Sequence, residues 1–566
     1  MREELIVRNG FVFDPLNGID GEKMDVFIKD GKIVDKVGSK ASVVESSGMI
    51  VMPGGVDIHS HIAGSKVNSG RVLRPEDHEK DYEVKTQITR SGVGHSIPST
   101  YTAGYRYARM GYTTVFEPAV PPLKARHTHE ELDATPIVDK ACFPLLGNNW
   151  LVMEYLRDGK IEECAAYVAW VMNATKGYAV KIVDPGGVEA WGWGQHLRRL
   201  DDRVPHFEIT PREIVRGLCK VNRLLRMPHT IHVHTNNLGF PGNYETTIET
   251  MDCVRDLASG DRPTIHITHV QFTGFAGTSW LNLGSGAPEI SNYVNKHSHV
   301  TIDLGQIAFG DTTTMTADGP FQYLLHKLSG NKWINADVEA ETGAGVVPFH
   351  YKKSNYVNAV QWGIGLELAL LTKNPWQVCL TTDHPNGAPF TEYPRVISWL
   401  MSSKARARVL AKINKNARRR LHLPGIDREY TFNEIAVVTR AGTAKALNLK
   451  EKGHLGVGAD ADIAVFNLNP KEVDPSKNYR AVRKALKKSA YTIKDGRIIS
   501  RNGEIVESSM GKTYWVNAKT SEDLMESVTS QLREKFEDYY TVQMENYIIG
   551  ESFLKAPSRI EVSSEV

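Results

Sequence analysis

The sequence is poor in cysteine, with five in 566 residues and no Cys-x-x-Cys pair. The five stand far apart, at Cys142, Cys164, Cys219, Cys253 and Cys379. This spacing suits neither an iron–sulfur cluster nor a disulfide framework, so we expect five buried thiols. We therefore expect no iron–sulfur cluster in this chain. If the protein takes part in redox chemistry, the electrons pass through another polypeptide.

Long apolar runs and a charge imbalance are also missing. No stretch of about 18 or more apolar residues occurs, and the N-terminus (MREELIVRNG) lacks the apolar centre of a signal peptide. The 68 Lys and Arg nearly balance the 66 Asp and Glu, giving a net charge of +2. Composition thus gives no argument for a membrane or a nucleic acid as partner, and predicts a cytoplasmic globular protein.

The two ends of the chain have the pattern of short antiparallel strands. Residues 5–52 alternate Val, Ile and Phe with polar residues around Asn-Gly and Asp-Gly turns, and similar patterns return at 461–468 and 491–506. Such turns are typical of β-hairpins. We therefore predict one small β-sandwich domain built from residues 1–52 and 431–518.

The middle of the chain, residues 53–430, alternates apolar β-rich runs with helical patterns. Eight strand candidates follow one another, at residues 54–59, 112–120, 142–147, 178–183, 229–234, 264–269, 300–305 and 378–383. Helical stretches lie between them, for example at 152–175, 211–226, 246–259 and 356–372. Eight β-then-α units predict an α/β fold with a (β/α)8 TIM barrel rather than an open sheet.

Three segments do not belong to the eight β-then-α units of a minimal barrel. We call residues 62–110 the first excursion and residues 306–355 the second excursion. Both leave the C-terminal ends of predicted strands, where barrel active sites lie, and we interpret both as walls of a substrate pocket. Residues 519–566 carry the helical run EDLMESVTSQLREKFEDYY. They are predicted to form a C-terminal helical tail, used either for interactions or packed on the barrel.

The first barrel strand ends in Ile-His-Ser-His, which supplies His59 and His61. Residues two apart on a strand face the same way, so both imidazoles can point into the barrel mouth. Two imidazoles on one rigid strand form half of a zinc site. A lone His-x-His pair is equally compatible with two buried structural histidines.

Lys181 lies in the apolar run Ala-Val-Lys-Ile-Val of the fourth predicted strand. An ammonium group there is costly because it must be desolvated. A salt bridge, or a side chain that leaves past the strand end, would remove the cost. Alternatively, a lysine held neutral can react with CO2 to give an anionic carbamate, which can bridge two metal ions.

Further polar residues end three other predicted strands. They are His229, His232 and His234 in the fifth, His266 and His269 in the sixth, and Asp383 with His384 at the eighth. In a barrel, strand ends of this kind share the face on which chemistry occurs. Five strand ends therefore supply His-x-His, Lys, His, His and Asp, in that order.

This ligand order, with a β domain from both termini, resembles the amidohydrolase superfamily with a binuclear metal centre, and most of all its hydantoinase and dihydroorotase branch. The segment KGHLGVGADADIAVF is similar to the segment with which chains of that superfamily re-enter their β domain. A narrower resemblance, to the A subunits of formylmethanofuran dehydrogenase, rests on HVHTNNLGFPGNYETT, DLGQIAFGDTTTMTADGP, EAETGAGVVPF, VQWGIGLELALL and TTDHPNGAPFTEYP.

The resemblance implies two zinc ions bridged by an N6-carboxylated Lys181. Their ligands would be His59, His61, Lys181 and Asp383 for one ion, and Lys181, His234 and His269 for the other. Lys181 and Asp383 would be the catalytic residues, with Asp383 passing a proton to the leaving amine.

Three other histidine positions are placed less directly. His232 and His266 are expected deeper in the barrel, as core residues or as supports for the ligands. His384 is expected beside the metals, where contact with substrate is an open question.

The resemblance further implies a reversible condensation of formate with the amine of methanofuran, giving formylmethanofuran. A partner subunit with a molybdenum or tungsten pterin would make the formate from CO2, and iron–sulfur subunits would carry the electrons. No pterin is expected in this chain. The alternatives are a stand-alone cyclic-amide or N-acyl hydrolase, a formyltransferase/hydrolase subunit of methylotrophic bacteria that releases formate, and a catalytically silent scaffold.

A basic run, KARARVLAKINKNARRR, occupies residues 404–420. Such a run more often forms a solvent-exposed helix face. Its position after the eighth strand also allows it to hold the anionic tail of a glutamyl-bearing carrier. No basic segment is interleaved with aromatic residues, so we expect no nucleic acid.

Overall fold

The computed structural model describes residues 4–260, 262–335, 345–539 and 542–564. The family-like motif at residues 339–349 therefore lies partly outside the described residues. Within them, none of the helices combines the length and the apolar composition that a membrane-spanning segment needs.

The described strands are short, apart from those at the chain ends and in the second excursion. In chain order they are β1 Glu4–Asp14, β2 Ile19–Lys29, β3 Lys32–Val34, β4 Ser42–Glu45, β5 Ile50–Pro53, β6 Gly55–Asp57, β7 Tyr112–Val120, β8 Asp139–Pro144, β9 Lys181–Val183, β10 Ile231–His234, β11 Ile265–Ile267, β12 Phe275–Ala276, β13 Gly284–Ser285, β14 Val300–Asp303, β15 Gly310–Thr316, β16 Ile334–Asn335, β17 Gly345–Tyr351, β18 Val378–Cys379, β19 Ile463–Phe466, β20 Tyr491–Lys494, β21 Arg497–Arg501, β22 Glu504–Ile505, β23 Thr513–Lys519 and β24 Pro557–Ser563.

The described α-helices lie mainly between these strands. They are α1 Ser65–Leu73, α2 Thr100–Arg109, α3 Ala125–Asp133, α4 Trp150–Arg157, α5 Ile161–Thr175, α6 Gly187–Gly192, α7 Pro211–Leu224, α8 Asn243–Asp252, α9 Ala287–Lys296, α10 Gly319–Ser329, α11 Tyr356–Leu371, α12 Tyr393–Leu400, α13 Ser403–Leu410, α14 Lys415–Arg418, α15 Phe432–Ala436, α16 Gly442–Ala446, α17 Tyr479–Lys487 and α18 Glu522–Tyr539.

Eight parallel strands follow one another around the core. β6, β7 and β8 pair in parallel, and so do β9, β10, β11, β14 and β18. Parallel bridges between Leu145 and Lys181 and between Ser60 and His384 connect these two groups, so the series closes on itself. A helix follows each strand along the chain: α2, α3, α5, α7, α8, α9, α11 and α12. We call this arrangement the strand ring.

Each of the eight predicted strand segments overlaps one strand of the ring, but β8 begins before its predicted segment 142–147 and several others are shorter than predicted. β18, for example, covers only the first two residues of the predicted segment 378–383. The cause is local, because Asp383 has a φ of 48° and His269, just after β11, has a φ of 36°. Such angles are incompatible with an extended ladder. The chain therefore leaves the ring where the candidate ligands begin.

Both chain ends contribute strands to one nine-stranded sheet. Its order is β22-β21-β20-β19-β5-β1-β2-β3, with β4 paired to β1. β5 and β19 pair antiparallel, with Met52 opposite Ala464, and so connect the two ends. Residues 432–446, predicted to open the β domain, are instead helical: α15, a π-helical turn and α16.

A cluster of buried charges connects this sheet to the strand ring. The Lys452 ammonium lies 2.5 Å from Asp139, 2.8 Å from Asp460 and 2.7 Å from Asp462. Asp139 begins β8 in the ring, whereas the other two carboxylates precede β19. Lys494 of β20 lies a further 3.2 Å from Asp139. Because each carboxylate faces an ammonium group, the buried charges compensate one another.

The two excursions differ in their role. The second excursion forms the antiparallel sheet β15–β17–β16 with α10 beside it, and its Phe321 and Phe349 line the main cavity, as predicted for a pocket wall. No residue of the first excursion lines that cavity. Its Val67 packs instead against Met315 and Val346 of the second excursion. The first excursion supports the wall from outside, so our interpretation of it as a wall of this cavity is wrong.

The C-terminal segment is more than a helical tail. α18 packs on α5, but β24 follows it and pairs in parallel with β23. β23 joins β8 where Thr513 lies opposite Lys140. The predicted boundary at residue 518 thus falls inside β23. Strand pairing ties the end of the chain to the sheet that contains β6, β7 and β8.

Candidate metal centre

One cavity opens at the C-terminal ends of the ring strands, with an empty volume of about 1160 Å³ that includes its mouth. All the predicted ligands line it: His59, His61, Lys181, His234, His269 and Asp383. Each is buried in the protein. The structure therefore brings all six predicted ligands together in one cavity.

Local geometry explains how separate strands reach one point. Lys181 begins β9 and lies in register with His232 of β10, so the His234 that ends β10 lies two positions nearer the mouth. His269 and Asp383 follow their strands with positive φ. This backbone turn aims a side chain across the strand end instead of along the ladder direction.

Three imidazoles, those of His59, His61 and His269, surround the Asp383 carboxylate. Its Oδ1 lies 3.0 Å from His59 Nε2 and 3.3 Å from His61 Nε2. Potential ligand atoms of His59, His269 and Asp383 all lie within 4.8 Å of one another. Burial alone would raise the pKa of Asp383, but the neighbouring His59 and His269 imidazoles hold it well below its usual range. The carboxylate is therefore ionised and faces a set of imidazoles.

The donor set fits a cation. His269 Nδ1 is buried without a hydrogen-bond partner among the described residues. A buried polar atom left unpaired costs free energy unless something binds it. Imidazole nitrogens with a carboxylate oxygen are the ligands that Zn²⁺ prefers. The residues present are thus suited to hold a divalent metal.

Lys181 is held in an environment that favours its neutral form. Its Nζ makes one described hydrogen bond, to Thr268 Oγ1 at 3.3 Å. Burial lowers the pKa of Lys181 to about 7, against the opposing influence of Asp303 and Asp383. An amine with this pKa is substantially unprotonated near neutral pH. Only the unprotonated amine can react with CO2.

Two buried carboxylates that sequence reasoning missed orient the ligands. Glu117 of β7 accepts a hydrogen bond from His61 Nδ1 at 2.7 Å and from the Ile62 backbone N–H at 2.8 Å. Asp303 of β14 accepts from the His269 backbone N–H at 2.8 Å. Carboxylates behind ligating histidines fix ring orientation. The available signal was an acidic residue within each of two predicted strand segments, Glu117 in 112–120 and Asp303 in 300–305.

A chain of histidines sets the tautomer of His59. The Ala446 carbonyl can only accept, so His229 Nδ1 donates to it at 2.7 Å. His229 Nε2 then accepts from His232 Nδ1 at 3.1 Å, and His232 Nε2 accepts from His59 Nδ1 at 3.0 Å. His59 Nδ1, which also lies 3.3 Å from Asp303 Oδ2, therefore donates to these neighbours, and Nε2, 3.0 Å from Asp383 Oδ1, is the nitrogen that would ligate a cation.

His266 and His384 are core residues in this structure. His266 Nε2 lies 3.2 Å from Asp303, and His266 does not line the cavity, as expected for a supporting residue. The His384 ring packs against Phe390 at 4.8 Å, and its Nδ1 accepts the Phe390 backbone N–H at 3.2 Å. Neither histidine contributes to the cavity surface.

The basic run divides into buried and exposed parts. Arg406 is buried and donates to backbone carbonyls such as that of Trp399 at 2.8 Å, so it is structural. Arg419 and Arg420 are exposed and line a groove that shares Trp280 with the main cavity. A cationic groove thus adjoins the cavity mouth.

The wall of the cavity is largely apolar, and part of it is aromatic. Its rings belong to Phe272, Phe275, Trp280, Phe321, Phe349 and Tyr351. We call the six predicted ligands the polar floor of the cavity. Flat apolar walls around this polar floor suit a ligand with an aromatic body and a polar reacting end.

The model of the amidohydrolase family (Amidohydro_3) matches residues 42–500, which is most of the chain and includes every candidate ligand. The chain belongs to the amidohydrolase family. Members are typically metal-dependent, and the cavity supplies candidate metal-binding residues.

Two curated relatives match this amidohydrolase along its whole length. Protein FwdA of Methanocaldococcus jannaschii is 54% identical, with 99% of each chain covered. The A component of the formyltransferase/hydrolase complex Fhc of Methylorubrum extorquens is 36% identical, with 94% of each covered. The resemblance to the A subunits of formylmethanofuran dehydrogenase is therefore confirmed.

A solved structure agrees with this placement. The crystal structure of the FhcABCD complex from Methylorubrum extorquens with methylofuran contains a chain that superposes with a TM-score of 0.89. That chain is 33% identical, with 99% of both chains covered. The present protein therefore has the amidohydrolase fold of that Fhc component.

Proposed function

We propose that this chain is the formyl-transferring subunit of a formylmethanofuran dehydrogenase complex, which reversibly condenses formate with the primary amine of methanofuran. One observation carries the proposal. All six predicted ligands meet in one cavity of a chain that matches FwdA from end to end. The proposal assigns this chain the redox-neutral half of the complex's reaction.

The proposal includes the architecture that positions the site. The closed strand ring corresponds to an amidohydrolase (β/α)8 barrel over residues 53–430. The nine-stranded sheet, made of β1 to β5 and β19 to β22, would be the small β domain built from both chain ends. The parallel pairing and the bridges at Leu145 and Ser60 support the barrel description.

The cavity would hold two zinc ions. His59, His61, Lys181 and Asp383 would bind one, and Lys181, His234 and His269 the other, with Lys181 carboxylated between them. When bound, such ions polarise a carbonyl and lower the pKa of water. The unpaired His269 nitrogen and the low pKa of Lys181 support this assignment.

The chain's own residues move the proton. In hydrolysis, Asp383 takes a proton from the attacking water and delivers it to the leaving amine; condensation uses the reverse route. The balance is formate plus a protonated primary amine giving formamide and water. Asn386 Nδ2 donates to Asp383 Oδ1 at 3.0 Å and holds that carboxylate in place.

The aromatic residues of the cavity wall favour methanofuran, the carrier, over a small amide. They would enclose the furan ring next to the reacting amine and keep bulk water from the polar floor. The related Fhc complex was crystallised with methylofuran. That likeness supports a furan-bearing amine as the substrate of this chain.

Reversal of charge at Arg419 and Arg420 tests whether the groove holds the carrier's anionic tail. We expect Arg419→Glu/Arg420→Glu to raise KM for the full carrier about tenfold, because two attractive charges become repulsive. KM for a truncated furfurylamine-type substrate should not change. The matched control is Lys404→Glu/Arg408→Glu, which reverses two exposed charges of the same run outside the groove. Equal losses for both substrates would exclude a tail site.

We further propose that the complex is cytoplasmic and that formate comes from a molybdenum- or tungsten-pterin subunit served by iron–sulfur subunits. The related Fhc chain works within the four-subunit FhcABCD complex. Its identity of 36% also supports a second candidate, a formyltransferase/hydrolase subunit that releases formate. The two are distinguished by purification, since only the first would copurify with a pterin and iron–sulfur clusters.

Hydrolysis in isotopic water tests the proposed reaction. The purified complex should release formate from formylmethanofuran without an electron acceptor, because amide hydrolysis involves no change in oxidation state. In H2(18)O, the first formate formed should carry one 18O atom, taken from water. Formate release that depends on an added acceptor would contradict the proposal.

A further inference from the structure

Asp318 links the second excursion to a predicted ligand. Its Oδ2 lies 3.1 Å from His234 Nε2, and the carboxylate is buried, with 3% of the residue exposed. A carboxylate accepts, so His234 Nε2 carries the proton. The Nδ1 lone pair of His234 is then the one left for a cation.

The other oxygen of the Asp318 carboxylate caps a helix. Asp318 Oδ1 accepts the Phe321 backbone N–H at 2.8 Å and so caps the N-terminus of α10. α10 is a wall of the cavity, to which it contributes Phe321, Leu325 and Leu328 among others. One carboxylate therefore holds both a candidate metal ligand and the start of the substrate wall.

A second link runs from the same excursion to Asp383. The Met315 backbone N–H in β15 donates to Asn386 Oδ1 at 2.6 Å. The Nδ2 of Asn386 donates to Asp383 Oδ1 at 3.0 Å. The cavity wall therefore contacts the polar floor at two of the six predicted ligands.

We propose that Asp318 is a positioning residue that couples the substrate wall to the metal centre, so that order in α10 and metal binding at His234 favour each other. This inference rests on the proposed function, since it needs a metal at His234. Coupling of two sites is reciprocal. Metal binding should slow hydrogen exchange of the α10 amides, and an ordered α10 should strengthen metal binding.

Asp318→Asn separates the two bonds. Asparagine keeps an oxygen that can accept the Phe321 N–H, but its amide nitrogen cannot accept from His234 Nε2. In the full chain, zinc affinity at the weaker site should fall about 10- to 100-fold, as for other supports of metal ligands. Hydrogen exchange of the α10 amides without metal should stay at the wild-type rate. Zinc should slow that exchange in the wild type but not in the variant.

Two further variants complete the test. Asp318→Ala removes both bonds, so zinc affinity should fall and α10 exchange should rise. Thr210→Ala removes an equivalent cap, on α7, that contacts none of the predicted ligands. It should leave zinc affinity unchanged.

The outcomes separate the two hypotheses. Wild-type zinc affinity in Asp318→Asn, or the same rise in α10 exchange as in Asp318→Ala, would overturn the coupling. A wild-type chain that binds no zinc, or a complex that does not hydrolyse formylmethanofuran, would overturn the proposed function instead.

Discussion

Replacement of Lys181 by alanine should remove one or both zinc ions and slow formyl hydrolysis and condensation by about 1000-fold or more. The side chain is the only proposed bridge between the ions, and no neighbouring carboxylate occupies its place on β9. The fold should persist, because the change removes a buried amine rather than breaking an ion pair. Metal content per chain, measured with circular dichroism and turnover, checks the expectation.

Lys140 provides the matched control. It is also buried in a ring strand, and burial lowers its pKa to about 8, yet it does not line the cavity. Lys140→Ala should therefore keep its zinc and its activity. If Lys181→Ala kept both as well, the bridging role would be wrong. Absence of zinc from the wild-type protein would instead favour a silent scaffold.

Asp383→Asn should lower kcat for formylmethanofuran hydrolysis by about 1000- to 10,000-fold, because asparagine cannot relay the proton. KM should change little, since the furan contacts the aromatic walls. Zinc content must be measured in parallel, because Asp383 is also a proposed ligand. A loss of kcat in protein that still carries its zinc assigns the proton transfer to Asp383.

Glu117→Gln provides the contrast for Asp383. It also removes a buried carboxylate charge, but one that contacts the back of His61. Here zinc affinity should fall about 10- to 100-fold, while kcat of the zinc-saturated enzyme stays close to that of the wild type. If both variants lost kcat equally when saturated with zinc, Asp383 would have no special role in proton transfer.

The sequence predicted much of the fold because its apolar runs are short, bounded and evenly spaced. Each of the eight runs overlaps a ring strand, and His59 and His61 both line the cavity as predicted, although they follow the end of β6. Lys181 stood out because a cation in an apolar strand needs an explanation. The strand ends also offered His229, His232, His266 and His384, and the choice of six predicted ligands among them came from the family resemblance; those six line the cavity.

The remaining site residues depend on contacts that no local pattern contains. Asp318 lies 84 positions from His234, in an excursion outside the strand-and-helix order. Glu117 and Asp303 lie within predicted strand segments, but only the folded structure shows that they contact His61 and His269. The role of the first excursion was misjudged for a similar reason. Its length indicated function, but only packing against Met315 reveals which surface it covers.

The triple contact of Lys452 with Asp139, Asp460 and Asp462 restricts where the molecule can move. Separating the sheet from the ring would break the contacts that Lys452 and Lys494 make with Asp139 across the junction. That junction is therefore a rigid joint rather than a hinge. A carrier that binds against α10 would instead press on the second excursion, whose Asp318 contacts His234 directly and whose Met315 reaches Asp383 through Asn386.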